Sequence, residues 1–263
     1  MHSSLPPSLR RHFDFCNNIR LPAGRLPFYL ADQQVGWIDP EILPALTEMA
    51  GIAINPAGVS LANPAALADI AHALAVQGHY TFRDEAFDVC AEIGAEPITT
   101  IDRGALPAFG IAAVGVHVNG LVRRSDGLHL WVARRAANKL LDPGKLDHLV
   151  AGGVSAGMTP FETLIKEAGE EAAIGADLAG QAVLQGRITY TMMRDEGLRR
   201  DTLFCYDLEL PEDFSPVAAD GEVEAFELWP ISEVVRYVAE TDEFKFNVNL
   251  VLIDLFERLG LAA

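Results

Sequence analysis

Hydrophobic and polar positions along the chain change their rhythm near residue 105. Before that point the apolar segments are short and mixed in period. Leu9 to Asn17 has helical spacing. The runs Leu26 to Leu30 and Val35 to Ile38 flank the turn-prone Asp32-Gln33-Gln34 and predict a hairpin. Asp39-Pro40 and Asn63-Pro64 each place an N-cap residue before a proline, which predicts helices running through Met49 and Val76. Phe87 to Ile93 reads as a returning strand. After about Ile101 the pattern becomes strand, strand, loop, helix, strand, strand, helix. Gly110 to Arg123 and Leu128 to Arg135 predict a hairpin around Ser125-Asp126-Gly127, and Leu146 to Val150 a short strand. Gln181 to Met193 and Asp201 to Leu210 predict a second hairpin around Asp195-Glu196-Gly197, with a further strand over Glu224 to Leu228. Two helices close the chain, Ile231 to Ala239 with Ser232 near its cap, and Asn247 to Leu259. The expected organisation is a small α+β domain over residues 1–105 and an α/β domain over 106–263.

The stretch from Val150 to Ile174, VAGGVSAGMTPFETLIKEAGEEAAI, joins a strand end to a glycine loop and a helix. Thr159 is a suitable N-cap, Pro160 suits the first helical position, and Glu162 completes a capping box. Phe161, Leu164, Ile165, Ala168 and Ala172 form the expected apolar stripe, while Glu167, Glu170 and Glu171 share another face at i, i+3 and i+4. Like charges so spaced each destabilise a helix by roughly 0.2–0.5 kcal/mol, so a cation is expected among them. Taken alone, such glutamates read as a solvated acidic face.

The glycine loop, capping box and carboxylate triplet together resemble the Nudix box, G-x5-E-x7-R-E-U-x-E-E-x-G-U, the signature of the Nudix hydrolases. On that spacing the chain supplies Gly152, Lys166 in place of the arginine, Glu167, Ala168, Glu170, Glu171 and Ile174. Met158 stands where the pattern has its first glutamate, and Ala173 where it has its late glycine. Because that glutamate braces loop and helix in the family, its loss relaxes the demand for a forked guanidinium at Lys166. Ala173 requires a different helix exit, expected from Gly175. The strings GVHVNGLV, LHLWVARRA, PGKLDHLVAGGVSAGM, YDLELPEDFSP, DGEVEAFELWPISEV and FKFNVNLVLIDLFERLG are similar to the Nudix subgroup that is fused to thiamine pyrophosphokinase in some fungi. RLPFYLADQQVGWIDPEILPAL resembles the N-terminal domain that accompanies it elsewhere. The resemblance implies an α/β/α Nudix sandwich with a mixed sheet, preceded by the small α+β domain. It further implies hydrolysis of thiamine diphosphate or its oxidised derivatives to monophosphate and phosphate.

Composition narrows the classes of partner. A formal net charge of −17 and the absence of any basic run exclude a nucleic-acid surface. Such an acidic chain acting on a polyphosphate has to recruit cations locally. Cys16, Cys90 and Cys205 lie far apart without metal-ligand spacing, which argues against disulfides and zinc and fits a reducing cytoplasm. The N-terminal residues lack the apolar core of a signal peptide, and no run approaches a membrane span. The expected location is cytoplasmic.

Magnesium, with manganese as substitute, is the cofactor the resemblance implies. Its ligands would be Glu167, Glu170 and Glu171, with a carbonyl at Gly152, where a side chain would hold the backbone away from the ion. Family members place a further acid opposite the helix. Glu222, in Asp220-Gly221-Glu222, is the candidate, with Glu224 second; Glu167, Glu171 and Glu222 are the catalytic candidates. Lys139, Lys145, Arg187 and Arg194 are candidate diphosphate contacts. Trp131, Tyr190 and Trp229 are candidate platforms for a heterocycle, against the commoner role of strand aromatics as core. His117 and His148 read as packed, hydrogen-bonded histidines. The competing functions are hydrolysis of another diphosphate such as ADP-ribose, a non-catalytic ligand sensor, and an isoprenoid diphosphate isomerase. Retention of all three glutamates disfavours the sensor, and the lack of a cysteine before the box disfavours the isomerase. A homodimer is common in the family, although no apolar patch in the sequence marks one.

Overall fold

The computed structural model describes residues 5–219 and 221–262. Its second half is built on a seven-stranded mixed sheet. Strand β7 (Ala113–Arg124) forms a hairpin with β8 (Gly127–Arg135), and β11 (Val183–Arg194) forms one with β12 (Gly197–Glu209). The order is β11-β12-β7-β8-β13, with β13 spanning Val223–Pro230; β12 runs parallel to β7 and the remaining pairs are antiparallel. The single strand expected over Leu146 to Val150 is in fact two, β9 (Leu146–Asp147) on β8 and β10 (Val150–Gly153) on β7.

Helices cover both faces of this sheet, which explains why β7 and β8 read as nearly continuous apolar runs. On one face, helix α5 (Pro160–Ala172) packs Leu164, Ala168 and Ala172 against Val116, Val118, Leu149 and Val150. On the other, α7 (Ile231–Glu240) and α8 (Val248–Leu259) pack on Leu121, Leu130, Val132, Leu203 and Cys205. Eight of the twelve α8 residues are buried, as its all-round hydrophobicity requires. Helix α1 (Pro7–Cys16) adds Leu9, Phe13 and Cys16 to this same core. The first helix of the chain is therefore packed with its last two.

Residues 26–111 build a core of their own from Phe28 to Ile111. The expected hairpin, β1 (Leu26–Leu30) with β2 (Gln33–Ile38), belongs to a four-stranded sheet of order β2-β1-β4-β3. Strands β3 (Ile52–Asn55) and β4 (Gly58–Leu61) escape the sequence reading because β3 is mostly exposed and shows no alternation. Asp39 and Asn63 accept from Glu41 N–H and Ala65 N–H, and each opens a 3-10 turn before its helix, α2 (Leu43–Thr47) and α3 (Leu67–Val76). The strand expected from Phe87 is β5 (Ala86–Val89), paired with an unanticipated β6 (Thr99–Asp102). Leu106 and Phe109, the first and last residues of the short α4 (Leu106–Phe109), pack into this core.

Helix α5 starts as the sequence predicts. Glu162 N–H donates to Thr159 Oγ1 at 3.2 Å and Thr159 N–H donates to the Glu162 carboxylate at 2.9 Å. The buried face differs from the expected stripe. Phe161 is exposed, packing only loosely on Tyr206 with ring centroids 6.3 Å apart, while Thr163 and Glu171 are buried. The helix exit differs too. Gly175 has an extended backbone, and Ala173 itself takes the left-handed conformation, φ 55°, with its N–H and that of Ile174 on Ala168 O. A Cβ is unfavourable there. Replacing Ala173 by Gly is expected to stabilise the fold by about 1 kcal/mol, read from the midpoint of urea unfolding.

Candidate active site

The site is assembled where α5 meets β10. Glu171 is the penultimate residue of the helix, on its buried side, and its Oε2 accepts Ala151 N–H at 3.0 Å. Gly152, the next residue of β10, lies under Glu167. A Cβ built on Gly152 would stand 2.5 Å from Glu167 Cγ and 3.1 Å from its Oε1. Glycine is therefore required here by a close approach of backbone to a carboxylate, not by a turn. The cation expected among the glutamates is Lys166, whose Nζ lies 2.7 Å from Glu170 Oε2 and 3.1 Å from Glu167 Oε1. Side-chain contact with Glu170 raises the Lys166 pKa, so the ammonium stays charged.

Burial pushes the Glu171 carboxyl up to about 8, against the bond from Ala151, with Asp147 and Glu167 adding to the rise. Glu167 is raised in the same direction, again first by burial. Across a small cleft from Glu171 stands Glu222, at the entry to β13. Ala133, Arg135, Asp147, His148, Ala151 and Val223 complete the lining. Glu222 pairs with Lys139, and its carbonyl accepts Ala136 N–H at 2.9 Å, which ties the loop after β8 to the cleft rim. Asp220, the first residue of the expected acidic turn, lies outside the described residues. Glu224 is exposed where the β13–β8 register shifts and is absent from the lining.

The floor of the cleft is a buried polar network that the sequence reading did not assemble. Asp147 accepts from Arg135 Nη1 at 2.6 Å, from Lys245 Nζ at 3.5 Å and from its neighbour His148 N–H at 2.9 Å. Burial opposes the Asp147 charge, but Lys245 and Arg135 outweigh it and hold the carboxyl below the usual range. His117 and His148 bond to each other through their Nδ1 atoms at 2.9 Å, and burial lowers the pKa of both, that of His148 to about 4. Donor atoms of His117, Asp147 and His148 lie within 4.8 Å of one another. Two buried cations already share Asp147, however, so a divalent ion there would add charge to a site with excess positive charge. The glutamates of α5 offer the opposite balance and only oxygen donors. The sequence signal for this network was a charged residue inside each of two apolar strand runs, Arg135 in LHLWVARRA and Asp147 in KLDHLV.

Of the candidate diphosphate contacts, Lys139 stands at the cleft rim on Glu222, whereas Lys145 and Arg194, and with them the aromatic candidate Tyr190, are held elsewhere. Tyr190 is buried on the sheet face opposite α5, where its hydroxyl bonds Asp201 and its ring packs on Phe246 at 5.9 Å. Arg194 lies over the same Phe246 at 4.5 Å and pairs with Asp142 at 3.1 Å. Lys145 Nζ donates to Asp242 O at 2.6 Å. The segment between α7 and α8 thus takes up all three: alternation along β11 turns Tyr190 and Arg194 away from α5, and Lys145 reaches it from the loop before β9. Arg187 lies on the α5 side of the edge strand, exposed and 5.1 Å over the ring of Phe204. Of the aromatic candidates, Trp131 is in the core beneath α5, and Trp229 packs on Tyr237 and Phe244 on the far face.

Comparison with known proteins places the chain in a family. Residues 114–249 match the family described as NUDIX domain, and residues 9–113 match a domain of unknown function, DUF4743. The chain belongs to the Nudix hydrolase family. Among its relatives are Nudix hydrolase 24, chloroplastic, of Arabidopsis thaliana, 41% identical over 196 residues, and Nudix hydrolase 20, chloroplastic, of the same plant, 42% identical over 196. These alignments cover 73% and 74% of this chain but 54% and 52% of the relatives, so the chain spans about half the length of the curated proteins it matches. Among solved structures, DR0079 of Deinococcus radiodurans is 24% identical with a TM-score of 0.46, covering 66% of this chain and 98% of that one. The Nudix domain of Shewanella oneidensis NrtR, complexed with ADP ribose, has a TM-score of 0.46 at 14% identity, covering 58% and 91%. None of the described helices is long and apolar enough to cross a membrane.

The raised Glu171 pKa has a signed consequence. The folded protein binds this proton more tightly than the unfolded chain, so the group does not destabilise the fold below its ordinary 4.5 and does so increasingly as pH rises towards about 8. Metal-free protein is expected to lose stability across that window, and Glu171→Gln to lose less of it. Urea unfolding of both proteins in chelator, as a function of pH, checks the difference.

Proposed function

We propose that this Nudix protein hydrolyses the phosphoanhydride bond of a small organic diphosphate, with thiamine diphosphate or its oxidised derivatives as substrate. The single observation that carries the reading is the pairing of Glu171, bonded to the β10 backbone, with Glu222 across a shared cleft. The choice of thiamine compounds rests on the subgroup strings in the sequence.

The residues present fit a divalent ion. Gly152 leaves its backbone against Glu167 in a cradle that a Cβ would fill, and the donors around it are carboxylate and carbonyl oxygens suited to a hard cation. Glu167, Glu170, Glu171 and the Gly152 carbonyl would hold magnesium, or manganese in its place. Bound there, the ion supplies charge screening for the diphosphate oxygens and for the leaving phosphate.

The chain's own part is positional and basic. The sheet fixes Glu171 through Ala151, and Lys166 relieves the mutual repulsion of Glu167 and Glu170. Glu222, Glu167 and Glu171 are the candidates for accepting the proton released when water attacks one phosphorus and the bridging oxygen departs with the other. Arg187 remains the candidate diphosphate contact on the α5 side of the sheet. We read residues 1–105 and 106–263 as its two units, with α1 of the first packed into the core of the second.

Chromatographic analysis of the products formed by the purified protein with magnesium, over a panel of thiamine diphosphate, its oxidised analogues, ADP-ribose, isopentenyl diphosphate and nucleoside triphosphates, tests the proposal. The expected result is magnesium-dependent formation of the monophosphate and phosphate from the thiamine compounds, lost by orders of magnitude in Glu171→Gln. Preferred cleavage of ADP-ribose to AMP and ribose 5-phosphate would overturn the substrate, and an unchanged rate in Glu171→Gln would overturn the site.

A further inference from the structure

The loop from Val154 to Met158, which carries the chain from Gly152 to the start of α5, is braced from outside the Nudix domain. Met158 occupies the position of the family's bracing glutamate, and its side chain packs into the apolar core under the helix instead. Val154 and Met158 N–H bond within the Nudix domain, to Val114 O and Ser155 O, and the polar groups between them turn to the first unit. Ala156 N–H donates to Ala86 O at 2.8 Å, and Gly157 N–H donates to Asp88 Oδ2 at 2.9 Å. Ser155 Oγ lies 3.4 Å from Glu85 Oε1. Between these bonds Phe87 presses on the backbone of Gly153, where an added Cβ would stand 2.7 Å from Phe87 Cζ.

The brace is itself anchored. Phe87 is buried in the core of residues 26–111, and the Arg103 guanidinium lies 5.6 Å over its ring and 2.7 Å from Glu85. Asp102, at the end of β6, accepts from the backbone of Arg83, Glu85 and Gly104 and so fixes the approach to β5. Two successive loop amides thus have acceptors on β5, one a carbonyl and one a carboxylate. Gly157 is exposed, so water could take the place of Asp88 as acceptor; what the carboxylate adds is a stronger bond in a fixed direction.

We propose that β5 positions the metal-binding helix, with Asp88 as the positioning residue, supplying from another part of the chain the carboxylate brace that Met158 cannot provide. This inference rests on the hydrolase reading for its kinetic consequence, but not for its structural one. Fixing Gly157 sets the distance between Gly152 on the strand and the first turn of α5, and so the register of Glu167 over Gly152.

The test compares Asp88→Ala, Asp88→Asn and Phe87→Leu with the parent protein. Magnesium binding is measured by calorimetry without substrate, deuterium exchange is followed at residues 153–158, and kcat is separated from KM. Loss of a charge-assisted bond is expected to weaken magnesium binding and lower kcat by about tenfold in Asp88→Ala, with KM for the diphosphate little changed and exchange faster across the loop. Asp88→Asn, which keeps an acceptor oxygen for Gly157, is expected to recover most of the loss. Should Asp88→Ala not fold, faster loop exchange and weaker magnesium binding in Phe87→Leu support the same brace. Parental magnesium affinity and parental loop exchange in the Asp88 and Phe87 variants would overturn it. Full turnover in Glu171→Gln would instead overturn the hydrolase site, leaving calorimetry and exchange to judge the brace.

Discussion

The bond between Ala151 N–H and the Glu171 carboxylate, 3.0 Å long, fixes where helix α5 sits on the sheet. It takes a β10 amide and gives it to a side chain near the end of a helix, so helix and strand cannot slide without leaving a buried donor and a buried acceptor unpaired. Glu171 is kept in a setting that disfavours its charge, and Gly152 has to be glycine because Glu167 is then directly above it. The apolar contacts of Leu164, Ala168 and Ala172 with Val116, Val118 and Val150 fill the remaining interface. Packing supplies the attraction, and the bond from Ala151 ties the last turn of the helix to the strand.

Around that bond, charges of opposite sign are sorted by depth. The shallow glutamates, Glu167 and Glu170, are answered by Lys166 from one turn of the same helix, and Glu222 is answered by Lys139. Deeper, Asp147 takes both Arg135 and Lys245, whose desolvation is offset only because a full negative charge lies between them. The result is a cleft whose rim favours cations and whose floor already holds them. A net charge of −17 over the chain sets the background against which this local arrangement works.

Among the contacts that the first hundred residues make with the second half, two lie on opposite faces of its sheet. Helix α1 joins the core beneath α7 and α8, where His12 Nε2 meets Val238 O at 2.8 Å and Cys16 Sγ reaches Phe246 O at 3.6 Å. Strand β5 meets the loop before α5 on the opposite side of the sheet. The domain of unknown function is thereby linked to both helical layers of the Nudix sandwich, which gives its presence a mechanical meaning in addition to whatever surface it offers.

Local chemistry was legible in the sequence wherever neighbours along the chain decide it. The capping box Thr159-Glu162, the capped turns at Asp39 and Asn63, both long hairpins and the triplet on α5 depend on spacing alone, and Lys166 was the cation that repulsion among the glutamates demanded. Short strands with no alternation, β3 and β6, were not legible, since only their partners make them strands. Tertiary structure decided which face each strand residue shows. It sent Tyr190, Arg194 and Lys145 to the side of α7 and α8, and it brought Arg135, Asp147, His117, His148 and Lys245 together from four segments. It also put Ala173, not Gly175, in the left-handed helix exit, and set Asp88 against Gly157. Most of these depend on groups distant in sequence meeting in the fold, in the buried network of Asp147 inside a desolvated interior where a hydrogen bond left unmade is destabilising, and no periodicity records which of them will meet.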